Sequence, residues 1–244
     1  MGFDKEGNGF TFGFATLMVV IVATLLSVAA ISLKPYQQAN KTAEKMQNIL
    51  KTIGVDVTRD EATKVFDTYV KQRLALDYSA VITETSEGVI DPLNKKDAFN
   101  LDMRKQSRAV DWKDRVYPLY ICEKDGEQYL VMPMVGKGLW GPIWGYIALG
   151  GDNNTVIGAS FDHKSETPGL GAEINTAEFQ NQFPGEKLFD ETGAFKGIIV
   201  TKGGAKIEDK HGVDAITGGT ITSNGVTDMI EKTLKVYQPY LQKT

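Results

Sequence analysis

The sequence predicts an α+β domain carried on a single N-terminal transmembrane helix. Three observations support this fold class. Residues 7–33 contain no charged side chain, residues 115–204 hold a series of short apolar runs separated by turns, and the last segment repeats apolar residues at helical spacing. Consecutive short strands favour an antiparallel or mixed sheet, which the helices before and after it would flank.

Residues 10–33 are predicted to form the membrane span. As a helix they would run about 36 Å, enough to cross a hydrocarbon core of roughly 30 Å. A cleaved signal peptide is the alternative, but its apolar region would be shorter and its leader basic. The leader here, "MGFDKEG", has no net positive charge. We therefore expect a retained anchor over residues 1–35.

The lysines around the span bear on its orientation. Lys5 stands alone before it, whereas Lys34, Lys41 and Lys45 follow it. Counted by the positive-inside rule, they would place the large domain in the cytoplasm.

Residues 36–83 are predicted to form juxtamembrane and packing helices. A polar helix follows Pro35, and a second helix begins at Thr58, where Glu61 three residues on completes a capping box. That second helix is expected to continue through "VFDTYVKQRLAL". Residues 84–115 are charged and aperiodic, which indicates a connecting excursion at the start of the main domain, residues 84–244.

Strand signals dominate the middle of that domain. "RVYPLYICEKDGEQYLVMPMV" contains two apolar runs joined by residues 124–126, a hairpin pattern. "PIWGYIAL" and "TVIGASFDH" form a second pair across "GGDNN", and "GAFKGIIVTKGG" adds a further strand. A short helix is expected from Asn175 to Gly185. The closing helix has one apolar face and is expected to be capped by Thr222 or Ser223.

Charge and cysteine content exclude several function classes. A net charge of −4 offers no basic surface for nucleic acid. The chain has one cysteine, Cys122, and two histidines, His163 and His211. We therefore expect no metal site, no disulfide within the chain and no nucleic-acid partner. Cys122 lies in a run typical of a buried strand, where a thiol is inert.

The stretch "DAITGGTITSNG", residues 214–225, carries the chemistry. Two adjacent glycines stand among hydroxyl side chains, just ahead of a helix N-terminus. A plain turn before a capped helix explains the pattern locally. The same backbone would also expose N–H groups that suit a phosphate. No lysine follows as in a Walker A loop, and the stretch does not open a βαβ unit as a dinucleotide fingerprint does.

Residues 214–220, "DAITGGT", resemble the flavinylation motif of the FMN-binding domain family, Asp-x-x-Ser/Thr-Gly-Ala-Thr, with Gly219 replacing the alanine. "GKGLWGPIWGYIAL", "SETPGLGAE" and "TSNGV" resemble other parts of that family. The resemblance implies FMN joined through its phosphate to Thr220 by an external flavin transferase. We expect Thr220 to lie in a loop. The residues expected around the phosphate are Thr217, Gly218, Gly219 and Thr222.

The same resemblance implies which residues surround the flavin ring. Trp140 and Leu170 are expected to flank it, with Glu166 and Thr167 nearby. Ordinary structural roles are the alternative for all four: core aromatic, core aliphatic, exposed charge and turn residue. No catalytic acid or base is expected, because a flavin that passes single electrons needs none. The other candidate groups are expected to be structural: Trp112, Trp144 and His163.

The resemblance covers nearly the whole chain and implies a function. It extends to the branch of the family that serves in Na+-translocating NADH:quinone oxidoreductases. It implies an electron-carrying protein of the bacterial inner membrane, with the other components of that enzyme and a flavin transferase as partners. It places the large domain on the periplasmic side, against the lysine count. The alternatives are the G subunit of the Rnf ferredoxin:NAD complex and a membrane-anchored module that binds a phosphorylated ligand non-covalently.

Overall fold

The structure is a computed structural model and describes residues 7–108, 111–206 and 208–243. This part of the chain divides into two compact units after Lys45. The helices are α1 (Asn8–Thr52), α2 (Arg59–Tyr69), α3 (Met103–Ser107), α4 (Ala177–Gln180) and α5 (Thr220–Leu241). The strands are β1 (Val70–Leu76), β2 (Ile82–Glu87), β3 (Tyr117–Lys124), β4 (Glu127–Lys137), β5 (Pro142–Leu149), β6 (Val156–His163), β7 (Ile199–Thr201) and β8 (Gly212–Asp214).

The first unit contains α1 up to Lys45, that is, its apolar part and the polar residues that follow. Its side chains from residue 8 to residue 41 are exposed, and among the described residues it is the one helix long and apolar enough to cross a membrane. The helix continues through Pro35 without a break, so the polar segment after that proline is a continuation of the same helix. The leader residues 1–6 lie outside the described residues.

The second unit is built on an antiparallel sheet. Among the described residues six strands pair in the order β2-β1-β3-β4-β5-β6. The predicted hairpins are confirmed. β3 and β4 meet at a two-residue turn in which Asp125 (φ 55°) and Gly126 (φ 82°) are left-handed, the geometry that matches strand twist. β5 and β6 pair from Ile143↔His163 to Leu149↔Val156.

The predicted helix over "VFDTYVKQRLAL" is wrong in its second half. α2 has the expected capping box at Thr58 and Glu61 but ends at Tyr69. The next residues form β1, which pairs with β3 on one side and with β2 on the other. Burial of every residue from Arg73 to Leu76 fits a strand covered on both faces. Pairing within the sheet therefore overrides the helical propensity of the sequence.

The predicted excursion over residues 84–115 also needs correction, because it contributes to the sheet and to the interior. β2 is an edge strand with mostly exposed side chains, and charged residues are common on such edges. Asp97 forms a buried ion pair with Arg73 of β1 at 2.8 Å, and Phe99 is buried. The sheet thus begins before residue 84, the expected start of the main domain.

Helices cover both faces of the sheet. Side chains of β4 alternate between two cores, with Met132 in one and Val131 in the other. The first core includes the apolar face of α5: Val226, Met229, Ile230, Leu234, Tyr237 and Leu241. The second includes the last residues of α1 and the inner face of α2: Ile49, Leu50, Ala62 and Phe66. The α+β fold class is confirmed.

The segment between β6 and α5 contains one short helix and two short strands. The expected helix from Asn175 to Gly185 is shorter, being α4 alone, preceded by a 3-10 turn over Gly171–Asn175. β7 and β8 then pair in parallel. β8 ends at Asp214, directly before the turn that leads into α5.

Candidate functional site

The site is organised around the first turn of α5. This helix begins at Thr220 on Gly219, which provides no side-chain cap, so the predicted cap at Thr222 or Ser223 is wrong. Those two side chains are buried within the first turn instead. Thr220 is therefore the first residue of a helix rather than a loop residue.

Backbone N–H groups are unpaired at this helix start. The amide of Ser223 bonds the Gly219 carbonyl at 2.9 Å. The amides of Thr220, Ile221 and Thr222 have no acceptor among the described residues, as is usual at a helix N-terminus. Three convergent donors at the positive end of a long helix form a site suited to an anion.

A tight turn brings the chain into α5. The Gly219 amide donates to the Ile216 carbonyl at 2.9 Å, and Gly218 has a φ of +76°. The Ile216 amide in turn donates to the Ser223 hydroxyl at 3.2 Å. A Cβ on Gly218 would lie 2.5 Å from Cδ2 of Leu170. Leu170 thus packs directly on the turn, as the sequence prediction for a shared site requires.

The four hydroxyls of the stretch separate into two groups. Thr222 and Ser223 are buried, and Thr222 donates its hydroxyl to the Glu166 carboxylate at 2.6 Å. Thr217 and Thr220 are exposed, and their hydroxyls have no partner among the described residues. Of these two, only Thr220 belongs to the helix whose amides are unpaired.

Glu166 is buried, with 4% of its surface exposed, so its interpretation as an exposed charge is wrong. Its Oε1 accepts from the Trp140 amide at 2.8 Å, and its Oε2 from the Leu139 amide at 3.3 Å as well as from Thr222. Burial raises the pKa of this carboxyl, but the hydrogen bonds outweigh burial and hold the pKa below its ordinary value.

Trp140 and Leu170 are both accessible, with 66% and 42% of their surfaces exposed. Neither is a core residue. Trp140 is held through its backbone, since its carbonyl accepts from the Ser165 hydroxyl at 3.2 Å. Thr167 is an exposed turn residue whose carbonyl accepts from the Leu170 amide at 3.1 Å. Leu170 therefore presents an accessible apolar side chain beside the turn before α5, and Trp140 presents one in the loop that Glu166 connects to that helix.

Asp214, the acidic residue of the motif, is used within the protein. Its Oδ1 accepts from the Ala205 amide at 2.7 Å, and its own amide donates to Gln182. It thereby ties the turn before α5 to two neighbouring segments. No local pattern indicates these partners, because both are well separated from Asp214 along the chain.

The groups expected to be structural have packing partners. Trp112 is half exposed and stacks edge-on against Tyr78, while the Arg104 guanidinium lies 5.1 Å from the centre of the Trp144 ring. Cys122 is fully buried in β3, as predicted, and burial raises the pKa of its thiol to about 12.

His163 is also engaged in the structure. Its Nδ1 accepts from the Glu166 amide at 3.1 Å. The ring thus holds the start of the 166–171 loop, in keeping with the structural role expected for it.

The fold, with a helix start suited to an anion, agrees with one class of protein. Residues 138–235 match the FMN-binding domain family, and this range contains every candidate site residue from Trp140 to Thr222. The chain belongs to the NqrC family, the C subunits of Na+-translocating NADH-quinone reductases. It is 31% identical to the C subunit of Vibrio alginolyticus, over 100% of this chain and 97% of that one. It is 33% identical to that of Haemophilus ducreyi, over 99% and 96%.

Solved structures agree with this membership. The crystal structure of the C subunit from Parabacteroides distasonis covers 86% of this chain and 96% of its own, with a TM-score of 0.73 and 38% identity. NqrC from Shewanella oneidensis covers 84% and 99%, with a TM-score of 0.67 and 26% identity. Together with the apolar α1, the membership indicates a membrane-anchored FMN-binding protein.

Proposed function

We propose that this chain carries electrons in a Na+-translocating NADH-quinone reductase through an FMN joined by a phosphoester to Thr220. The observation that carries the proposal is the exposed Thr220 hydroxyl at the start of α5, beside three unpaired amides. A phosphate on that oxygen would lie next to those donors. The names of the relatives supply the enzyme.

The residues present fit an FMN phosphate. Gly218 has no side chain, which lets Leu170 lie against the turn, and the Gly219 amide is already used within the turn. The amides of Thr220 and Ile221 can donate to phosphate oxygens, and the helix dipole favours negative charge there. Gly219, where the family motif has alanine, takes no space from the attachment.

Attachment requires an activated donor and an enzyme, because an alkyl hydroxyl is a weak nucleophile. A flavin dinucleotide supplies the activation. The Thr220 oxygen forms a bond to the phosphorus of its FMN part, and the phosphoanhydride bond to the nucleoside monophosphate breaks. The hydroxyl proton leaves with that phosphate, and no electrons are exchanged. Since Thr220 is exposed, a flavin transferase can reach it without unfolding the domain.

Once attached, FMN supplies reversible redox chemistry, which the phosphoester leaves unaltered because the ring is not part of the link. The protein contributes position and environment. Trp140 and Leu170 offer apolar surface beside the attachment point, and with Thr167 they border the space for the ring. Their exposure leaves the ring accessible to a redox partner.

The partners follow from the membrane anchor and the relatives. The chain would assemble with the A, B, D, E and F subunits of the reductase in the inner membrane, with its large domain on the periplasmic side. It would not line the sodium path, because residues 10–33 contain no charge. The relatives named above are parts of this reductase, which favours it over the Rnf complex.

The test is co-production of the full chain with a flavin transferase. We expect a band that fluoresces on a denaturing gel and a mass increase of FMN less water, located by fragmentation to Thr220. Thr220→Val should abolish both, and it keeps the fold because valine and threonine have similar helix propensity. Thr217→Val is the comparison variant. It removes the other exposed hydroxyl of the stretch, which is expected beside the phosphate but not bonded to it, so covalent flavin should still form at Thr220.

Covalent flavin on Thr220→Val would overturn the attachment site. Flavin that leaves the wild-type chain on boiling in detergent would support the non-covalent binding module instead.

A further inference from the structure

Glu166 is a buried carboxylate. Among the described residues no lysine, arginine or histidine forms an ion pair with it. A buried charge is costly unless it is hydrogen-bonded. Here the donors are the Thr222 hydroxyl and the amides of Leu139, Trp140 and Gly141. Packing alone does not account for a buried carboxylate whose hydrogen-bond donors are all neutral.

The donors belong to separate parts of the chain. The amides of Leu139 and Trp140 lie 27 and 26 residues before Glu166, the Gly141 amide follows them directly, and Thr222 lies 56 residues after Glu166. One carboxylate therefore joins the loop over residues 138–141, the loop over residues 166–171 and the first turn of α5. These three segments carry Trp140, Leu170 and Thr220 respectively.

Glycines make room for this junction. A Cβ on Gly138 would lie 2.6 Å from Glu166 Oε1, and one on Gly171 would lie 2.6 Å from Oε2 and collide with the Thr222 hydroxyl. Neither Gly138 nor Gly171 has the positive φ that favours glycine. Space for the carboxylate and hydroxyl explains both glycines.

We infer that Glu166 is a positioning residue that fixes the Trp140 loop against the first turn of α5 and so sets the position of Thr220 relative to the ring site. This inference rests on the proposed function. Glu166 does not itself contact the flavin, because its buried oxygens are occupied by protein donors. It acts through Thr222, which lies two residues beyond Thr220 on the same helical turn.

The test compares Glu166→Gln and Thr222→Val with the wild-type full chain and with Glu178→Gln, an exposed glutamate of the nearby α4. The first readout is hydrogen exchange without flavin. We expect the amides of Leu139 and Trp140 to exchange roughly tenfold faster in Glu166→Gln, the change expected for loss of a hydrogen bond to a charged group. Glu178→Gln should match wild type.

The second readout is the initial rate of flavin attachment by the transferase. We expect a fall of at least roughly tenfold in Glu166→Gln and Thr222→Val, because displacing a reacting group by about 1 Å can cost up to a hundredfold. Thr222→Ser keeps the hydroxyl and should restore the rate. If Glu166→Gln fails to fold, Thr222→Val and Thr222→Ser carry the test.

Wild-type exchange and attachment rates in Thr222→Val and Glu166→Gln would overturn the inference. That result differs from failure of the proposed function, in which the wild-type chain itself would take up no covalent flavin.

Discussion

Leu170 packs against the backbone of Gly218, two residues before the proposed attachment point. A Cβ at residue 218 would approach Leu170 Cδ2 to 2.5 Å, and the φ of Gly218 is +76°. The backbone conformation favours glycine there, and a Cβ would make the accessible Leu170 side chain rotate away from the turn. This contact connects the residue expected beside the flavin ring with the turn that presents Thr220.

Gly218→Ala should therefore destabilise the domain and slow flavin attachment. The left-handed backbone alone costs alanine about 1–2 kcal/mol, and the collision with Leu170 adds to it. Gly193→Ala is the matched control, since Gly193 has a φ of +79° with no neighbour within 4 Å. Urea unfolding should show the larger loss for Gly218→Ala. In the double variant Gly218→Ala/Leu170→Ala, the extra loss of unfolding free energy relative to Gly193→Ala should disappear. Equal losses in Gly218→Ala and Gly193→Ala would contradict the contact between residue 218 and Leu170.

Leu170→Glu should change the flavin without releasing it. The new charge would lie beside the ring, whereas the proposed tether is at Thr220. We expect a shifted absorption spectrum and a lower midpoint potential, because a negative charge disfavours added electrons. Leu93→Glu changes an equally apolar, 86% exposed side chain elsewhere and should leave both properties unaltered. A wild-type spectrum and potential would remove Leu170 from the ring site.

Protease added to intact spheroplasts should remove the domain over residues 36–244 if it faces the periplasm. The helix α1 can span the bilayer only once, so the two orientations give opposite results. A cytoplasmic marker protein that stays intact shows that the membrane is sealed. Sensitivity in inverted vesicles alone would instead support the orientation that the lysines following the span favour.

The Cys122 thiol gives stability a pH dependence. Its pKa is raised by burial to about 12, whereas an unfolded cysteine titrates near 8.5. Because the folded-state pKa is the higher one, the thiol does not lower the free energy of unfolding below about pH 8.5. Above that pH the unfolded thiol ionises while the buried one stays protonated, so the free energy of unfolding falls as the pH rises toward 12. Between pH 8.5 and pH 10 the loss amounts to about 2 kcal/mol.

Cys122→Val isolates this contribution, because the lysines and tyrosines titrate alike in both proteins. The difference between the two unfolding free energies should grow in favour of the valine variant above pH 8.5. A constant difference would show that the thiol ionises equally in both states. Native Cys122 should also resist alkylation at pH 8 and react after unfolding.

Local turn chemistry explains which strands the sequence predicts. The hairpin at residues 124–126 is specified by adjacent residues, and so is the β5–β6 pair. β1 is different, because "VKQRLAL" has a charge at Arg73 that looks exposed. Its partner, Asp97, lies 24 residues away, and no local pattern reports a buried ion pair at that separation. Residues 84–115 look like a surface excursion for the same reason, because the buried partner of Asp97 lies outside that segment.

The candidate site, like the fold, can be predicted from the sequence only in part. The motif around Thr220 is contiguous, so the sequence alone can predict an acceptor and its neighbouring glycines. The helix start is harder to predict because Thr222 and Ser223 are good capping residues, while tertiary contacts use both hydroxyls differently. The burial of Glu166 depends on donors up to 56 residues distant, which residue type and spacing do not reveal.

Because α5 begins on Gly219 without a side-chain cap, a phosphate on Thr220 would complete the helix as well as install the cofactor. Its oxygens would accept from the unpaired amides, as a capping aspartate does, a contribution of about 1 kcal/mol. Flavin attachment would then also stabilise the first turn of α5, in addition to the Thr222–Glu166 hydrogen bond that holds this turn in the flavin-free chain.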